Sequence, residues 1–366
     1  MGFVDALQAI WDTGDAVAPL DPRLPPAARQ ALLAALRPTR VVGSDGELRT
    51  VPDGWPVQEG DALVMTTSGS AGEPKGVILT HEALAASARA TSAALEVDPR
   101  RHAWLACLPL AHIGGFSVVA RAILTGTPLT VLPAFDAEVV EHIGRSGGAS
   151  HVSLVATALG RLDPAAFTRI LLGGARPPGS LPANVVVTYG LTETGSGVVY
   201  DGVPLDGVEM AISTDPAGEI LLRAPMLLRA YRDGTTGRRR GPDGTDSWFA
   251  TGDAGQIDPD GRLSVSGRMA EVITTGAEKV WPDAVERVLI THPAVNEVAV
   301  WKRPDPEWGE RVVAWVVPAT GPPPALDDLR DLVASTLAPW AAPKELELVD
   351  ALPRTPSGKV RRQDLA

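Results

Sequence analysis

At one point in this chain, hydroxyls, glycines and a lysine fall together in a way that suits an anion: Thr66-Thr67-Ser68-Gly69-Ser70-Ala71-Gly72-Glu73-Pro74-Lys75-Gly76. Glycines let backbone N–H groups curl around a phosphate, hydroxyls donate to it, and Lys75 adds a mobile positive charge. The spacing is not G-x-x-x-x-G-K-[ST], because Pro74 precedes the lysine and Gly76 follows it, so the chain is not a P-loop NTPase. Three polar segments lie downstream, Tyr189-Gly190-Leu191-Thr192-Glu193-Thr194, Trp248-Phe249-Ala250-Thr251-Gly252-Asp253 and Pro353-Arg354-Thr355-Pro356-Ser357-Gly358-Lys359. Each has an ordinary explanation when taken singly: a flexible turn, a helix-start carboxylate, a turn aspartate, a solvated tail charge.

Taken in order, these segments resemble the motifs of the acyl/aryl-CoA synthetase, luciferase and nonribosomal-peptide adenylation superfamily. Ser68 to Gly76 looks like its phosphate loop, Tyr189 to Glu193 its Tyr-Gly-x-Thr-Glu motif, and Thr251-Gly252-Asp253 its Thr-Gly-Asp motif. Gly261-Arg262 with Gly267-Arg268 resembles the hinge region, and Pro353 to Lys359 the catalytic-lysine motif. The resemblance runs from about residue 60 to the C-terminus. It implies a two-step acid–thiol ligation with ATP, coenzyme A and Mg²⁺: a carboxylate attacks the α-phosphorus, pyrophosphate leaves, and a thiol displaces AMP.

The implied ATP site comprises Thr66, Thr67, Ser68, Gly69, Ser70, Gly72, Lys75, Gly174, Ala175, Tyr189, Gly190, Thr192, Asp253, Arg268 and Lys359. Within it Glu193 holds the metal, Thr192 touches the α-phosphate, Tyr189 walls the adenine, and Asp253 takes the ribose. Arg268 reaches the ribose or the phosphate, and Lys359 bridges carboxylate and α-phosphate. The resemblance also implies two closed states of a mobile C-terminal domain. One brings in Lys359, and the other lines a coenzyme A tunnel with Gly276, Ala277, Glu278 and Lys279. The hinge departs from the family's usual acidic residue or Lys; Ala270 occupies it, with Glu271 beside it.

For the acid, Leu108 to Gly115 resembles the acyl- and aryl-CoA ligase form of the substrate wall, with His112 where amino-acid-activating relatives place Asp. That suits an aromatic or anionic acid and adds His112 to Lys359, Thr192 and Glu193 as a catalytic residue. A core or capping histidine is the plainer alternative. The expected pocket is His112, Gly114, Ser117, Arg121, Gly173, Gly195 and Ser196. With its reduced region before the phosphate loop, the chain is most similar to the short o-succinylbenzoate–CoA ligases of actinobacterial menaquinone synthesis. That substrate carries a second carboxylate, for which His112, Ser117 and Arg121 are the candidate ligands. A ligase for another acid, an enzyme that loads a carrier protein, and a non-catalytic relative remain as rivals. The last is disfavoured because Glu193, Asp253 and Lys359 are all present.

These residues need elements to place them. An apolar strand, Ala62–Met65, feeds the loop, and an alanine-rich helix follows over Glu82–Leu95. From about 100 to 200 short apolar runs (103–108, 129–132, 151–155, 170–172, 185–188) alternate with stretches that read as helices or turns (116–124, 137–146, 164–169). That alternation predicts layered α/β architecture with a largely parallel sheet. Short strands between Gly, Pro and Asp turns over 208–265 predict a small antiparallel β subdomain. After it comes an α+β unit with strands at 272–275, 295–301 and 311–318 and helices at 282–290 and 326–337. We therefore expect an N-terminal domain over 1–268, its region 1–60 reduced, and a small C-terminal domain over 269–366.

The 366 residues carry a net charge of −11, which disfavours general nucleic-acid binding while leaving room for local phosphate contacts. Hydrophobic residues at 45% and charged residues at 21% are those of an ordinary globular protein. The single Cys107 excludes an intramolecular disulfide and reads as a small buried hydrophobe. No apolar run approaches the ~18 residues that span a bilayer, and no basic segment precedes an apolar one at the start; a cytoplasmic protein is expected. The oligomeric state is open, a homodimer included.

Overall fold

A computed structural model describes residues 2–43, 46–68, 74–174, 180–215, 218–354 and 360–365. Gly69, Ser70, Gly72, Ala175 and Lys359 lie outside them. The chain groups into two compact units.

The first unit holds residues 1–211, 221–251 and 258–263. Its main sheet has seven strands, ordered Val203–Pro204, Ser196–Tyr200, Val185–Leu191, Arg169–Gly173, His151–Val155, Trp104–Ala106, Leu129–Val131. The last five are parallel, and the first two add antiparallel at one edge. Helices Ile113–Thr125 and Ala137–Arg145 make the crossovers between parallel strands. Leu105, Cys107, Val152, Leu154, Ile170 and Leu172 are buried with Val140 in one cluster, as parallel strands covered by helices require. Burial pushes the Cys107 thiol up to about 12, so it packs rather than reacts.

Local chemistry sets the helix ends. Thr80 caps His81–Ala94 by accepting from Ala83 N at 3.1 Å, and Asp136 caps Ala137–Arg145 by accepting from Val139 N at 3.1 Å. Phe135-Asp136 is thus a helix start. Ile113–Thr125 stops at Gly126, whose φ of 66° closes a left-handed C-cap. Of the helix or turn expected over 164–169 the structure has the turn: a single 3₁₀ turn, Pro164–Ala166, capped by Asp163, leads into the strand beginning at Arg169.

The second unit holds residues 212–220, 252–257 and 264–366. The change in sequence texture puts the division at 268, without the first two segments. They join because Ser213 N donates to Glu219 O (2.8 Å) and Gly255 N to Gly218 O (3.0 Å). Gly255 also lets the Ser264 carbonyl come within 2.6 Å of where a Cβ would stand. By chain position, the small five-stranded sheet (209–212, 219–223, 248–257, 238–239, with 263–268) contributes residues to both units.

Residues 264–366 build a second five-stranded sheet, ordered Glu278–Val280, Ile273–Thr275, Gly309–Pro318, Val295–Asp305, with Glu345–Leu348 parallel to Gly309–Pro318. Period-two alternation divides its faces. Val312, Ala314 and Val316 pack with Val285, Leu289, Leu329 and Val333 of helices Pro282–Leu289 and Leu326–Thr336, while Val313 and Trp315 pack with Leu352 and Leu365. Among the described residues no helix is long and apolar enough to cross a membrane.

Candidate active site

The strands Asp61–Ser68 and Pro74–Thr80 pair antiparallel, with Thr66 opposite Gly76, Thr67 opposite Lys75 and Ser68 opposite Pro74. This hairpin pairing sets Thr66, Thr67 and Lys75 side by side at the end from which residues 69–73 run on. The return strand 74–80 is absent from the sequence-based expectations, because loop chemistry masks it. A third strand, Ala230–Tyr231, pairs with the hairpin, setting Tyr231 against Val77. Arg232 N donates to Gly76 O at 2.7 Å, and a Cβ on Gly76 would meet Arg232 Cγ at 2.8 Å. A side chain at Gly76 would thus crowd Arg232.

Strand carboxyl ends collect the next residues. In an open parallel sheet that edge is where ligands bind, because each strand ends there in a loop free to vary. Here it presents 107–115 after Trp104–Ala106, Gly173 and Gly174 at the end of Arg169–Gly173, and 190–195 at the end of Val185–Leu191. Gly174 has φ 81° with nothing within 4 Å of where a Cβ would stand, so backbone conformation alone demands glycine. Gly190 is different: a Cβ would lie 2.2 Å from Ser196 O, so glycine permits the hairpin to Ser196–Tyr200. Tyr189, half-buried, pairs with Val199 across that hairpin.

Thr192–Thr194 form a 3₁₀ turn closed by Gly195 at φ 68°. The Thr194 hydroxyl accepts from Leu191 N at 2.8 Å and donates to Ser196 O at 2.6 Å, locking the turn. Glu193 is half-buried. Its Oε1 accepts from the Tyr231 hydroxyl at 2.9 Å, and its carbonyl accepts from Leu228 N at 2.7 Å. Lys75 Nζ lies 5.3 Å from the centre of the same Tyr231 ring. Tyr231 is a site residue that sequence reasoning misses. Its only signal there is an aromatic in the Leu-Arg-Ala-Tyr run, which carries no motif chemistry.

On helix Ile113–Thr125, Arg121 is 2% exposed. Its Nη2 donates to Ser196 Oγ at 3.0 Å, and Ser196 Oγ lies 3.5 Å from Ser117 Oγ. The guanidinium stands 4.7 Å from the Trp104 ring centre. Among the described residues its buried Nε and Nη1 meet no hydrogen-bond partner, nor do Trp104 Nε1 and His151 Nε2. Burial lowers the Arg121 pKa from its ordinary value, and burial, reinforced by His102, Arg169 and Arg121, brings His151 down to about 4. The sequence does not single out His102, Trp104 and His151, since polarity alone does not mark them in apolar strands.

The structure thus brings Ser117, Arg121 and Ser196 together, with Gly195 adjoining. His112 is apart in character: it is exposed at the start of the helix and makes no side-chain cap bond there. A cation there instead helps hold buried Asp21 below the usual carboxylate range, after the larger effect of the Arg23 hydrogen bond. Gly114 is exposed beside it. Gly115 is the structurally demanding glycine, since a Cβ would lie 2.5 Å from the carbonyls of Leu108 and Pro109.

In the second unit, buried Asp253 pairs with Arg268, Nε to Oδ1 at 3.0 Å. Gly252 N donates to Glu219 Oε1 at 2.8 Å, so buried Glu219 anchors the Thr-Gly-Asp segment of strand Trp248–Ile257. Ala270 and Glu271 lie in a 3₁₀ turn, Met269–Glu271. Gly276 and Ala277 turn the hairpin between Ile273–Thr275 and Glu278–Val280, with Gly276 N donating to Trp308 O at 2.7 Å, and Glu278 and Lys279 are exposed. Lys359 lies outside the described residues; Arg354 and Val360, on either side of its segment, form an antiparallel bridge. Arg362, largely buried, pairs with Glu271, Asp283 and Glu286.

Among the described residues, no three His, Cys, Asp or Glu side chains gather to cage a metal. A single oriented carboxylate, Glu193, beside a phosphate hairpin is what Mg²⁺ needs when phosphates complete its shell. The donor set fits that ion.

Residues 1–232 match the family described as AMP-binding enzyme, and residues 284–359 match its C-terminal domain. A probable 2-succinylbenzoate–CoA ligase of Mycobacterium tuberculosis is 40% identical, over 93% of this chain and 95% of that one. The o-succinylbenzoate coenzyme A synthetase of Bacillus subtilis, solved with ATP and magnesium ion, superposes with TM-score 0.82 at 26% identity, over 99% of this chain and 86% of that one. The same enzyme solved with its acyl-adenylate intermediate gives TM-score 0.74 at 29% identity, over 88% of this chain and 72% of that one.

Proposed function

The chain belongs to the AMP-binding enzyme family, and from that premise we propose that it is an AMP-forming ligase joining o-succinylbenzoate to coenzyme A in menaquinone biosynthesis. In the first step one carboxylate of the acid attacks the α-phosphorus of ATP, the bond to the bridging oxygen breaks, and pyrophosphate leaves. In the second the thiol sulfur attacks the acyl carbon, losing its proton, and AMP departs with one former carboxylate oxygen.

The observation that carries the substrate reading is Arg121. A buried guanidinium with two nitrogens that meet no acceptor among the described residues costs several kcal/mol unless something anionic meets it. The second carboxylate of o-succinylbenzoate is such a group, and Ser117 and Ser196 add donors beside it. His112, exposed at the helix start, we assign to the reacting carboxylate's side of the pocket rather than to this anion.

For the nucleotide, we assign the 66–76 hairpin to the β- and γ-phosphates and Thr192 to the α-phosphate. Tyr189 takes adenine, Asp253 the ribose hydroxyls, and Arg268 holds Asp253 ready for them. Mg²⁺ on Glu193 would neutralise charge on the departing pyrophosphate. By motif Lys359 steadies carboxylate and α-phosphate together, and 276–279 line the thiol's path. The reaction belongs in the cytoplasm, where ATP and coenzyme A are available.

Pyrophosphate release measured across aromatic and aliphatic acids tests the reading. O-succinylbenzoate should give the highest kcat/KM, and benzoate, lacking the second carboxylate, should fall by at least tenfold. Release with other acids but none with o-succinylbenzoate overturns the assignment.

A further inference from the structure

Three segments distant in sequence meet at Tyr231. The phosphate hairpin pairs with it through Val77 and through Arg232 N to Gly76 O. The 3₁₀ turn is fastened to the same stretch by Leu228 N on Glu193 O. Arg229 locks the stretch in place with a two-pronged pair on Asp61, Nε to Oδ1 at 2.7 Å and Nη2 to Oδ2 at 2.8 Å. Asp61 is 1% exposed and takes a further bond from Gln58 N at 2.8 Å, so this lock has little freedom. Tyr231 is the side chain this scaffold presents. Its hydroxyl meets Glu193 Oε1 at 2.9 Å while its ring lies beneath Lys75 Nζ.

We propose that Tyr231 is a positioning residue for adenylation, aiming the Glu193 carboxylate at the metal and the Lys75 ammonium at the phosphates. A phenol donates one hydrogen bond to an ionised carboxylate, which fixes the plane of that carboxylate and leaves its second oxygen for a cation. The ring face holds the ammonium by a contact that does not use up its three N–H donors. One rigid side chain with two rotatable angles thereby sets the distance between a negative and a positive group that must act on the same triphosphate. Groups that orient a metal ligand commonly change metal affinity ~10–100-fold when removed.

The inference rests on the adenylating function proposed above, and its test separates the two. Mn²⁺ serves as the probe, its binding followed by electron paramagnetic resonance with α,β-methylene-ATP present. The wild-type chain should bind Mn²⁺ in a nucleotide-dependent way; failure to do so would overturn the adenylating reading itself. Tyr231→Phe keeps the ring and removes the hydroxyl. It should weaken Mn²⁺ about tenfold, leave nucleotide affinity measured without metal unchanged, and leave thioester formation from supplied acyl-adenylate intact. Tyr231→Leu should also weaken the nucleotide, because the ring beneath Lys75 is gone. On a Glu193→Gln background, Tyr231→Phe should add nothing further to the loss. Unchanged Mn²⁺ affinity in Tyr231→Phe, or full additivity with Glu193→Gln, overturns the positioning role. Equal thermal midpoints for Tyr231→Phe and wild type keep these results from being a folding defect.

Discussion

On the proposed reading, Arg121 concentrates the chemistry of substrate choice in one side chain. Arg121→Met keeps much of the volume beside Trp104 and removes the charge. We expect KM for o-succinylbenzoate to rise about 100-fold with little change for benzoate, read by pyrophosphate release; equal losses for both acids would make Arg121 structural. His151 gives a second prediction at this scale. It is fully buried, and its folded pKa of about 4 lies below the ordinary 6.5. The unfolded chain takes up that proton first as pH falls, so the stability His151 allows is present above about 6.5 and lost on the way to about 4. Two and a half units correspond to roughly 3 kcal/mol. Urea melts at pH 7.5 and 4.5 should therefore differ less in His151→Asn, by about that amount. Sequence makes the reacting residues legible because phosphate chemistry restricts their types and spacing. It does not mark Tyr231, Glu219 or Asp61, whose value comes only from what the fold sets beside them.

Elements show the same division. The parallel strands are readable from apolar runs, and Pro26–Leu36 from its proline start, since burial on both faces and helix-end chemistry are local signals. The return strand 74–80 and the antiparallel strand 196–200 are not, because loop-like glycines at 76 and 197 interrupt them. Their pairing needs those glycines: Gly190 and Gly197 stand opposite each other, and Gly190→Ala would push a methyl into Ser196 O. That substitution should cost about 3 kcal/mol or more in denaturant melts, beyond the ordinary range for a surface glycine. In the second unit, Arg362 gathers three carboxylates onto one guanidinium, with burial holding the Glu286 carboxyl above its usual range. Arg362→Ala leaves those carboxylates facing one another. A loss of about 3–5 kcal/mol is expected, and raising the pH from 5 to 8 should deepen it, as the carboxylates ionise.

At the scale of the whole molecule, the order of five motifs along the chain points to the reaction class, while the grouping into compact units is only partly visible. A boundary at 268 follows from the change in texture after Gly267-Arg268, yet residues 212–220 and 252–257 join the second unit through Gly218, Glu219 and Gly255. Such long-range backbone pairing leaves no periodic trace. The two-step chemistry makes its own demand here. Lys359→Ala should abolish adenylate formation while leaving thioester formation from supplied acyl-adenylate largely intact, and equal loss of both would contradict the separate roles assigned to Lys359 and to 276–279. The most direct test of the central claim follows the oxygen. With o-succinylbenzoate labelled with ¹⁸O in both carboxylates, ATP, Mg²⁺ and coenzyme A, mass spectrometry should find one labelled oxygen in AMP and one in the thioester carbonyl. Label in orthophosphate or pyrophosphate, or none in AMP while thioester forms, would contradict it.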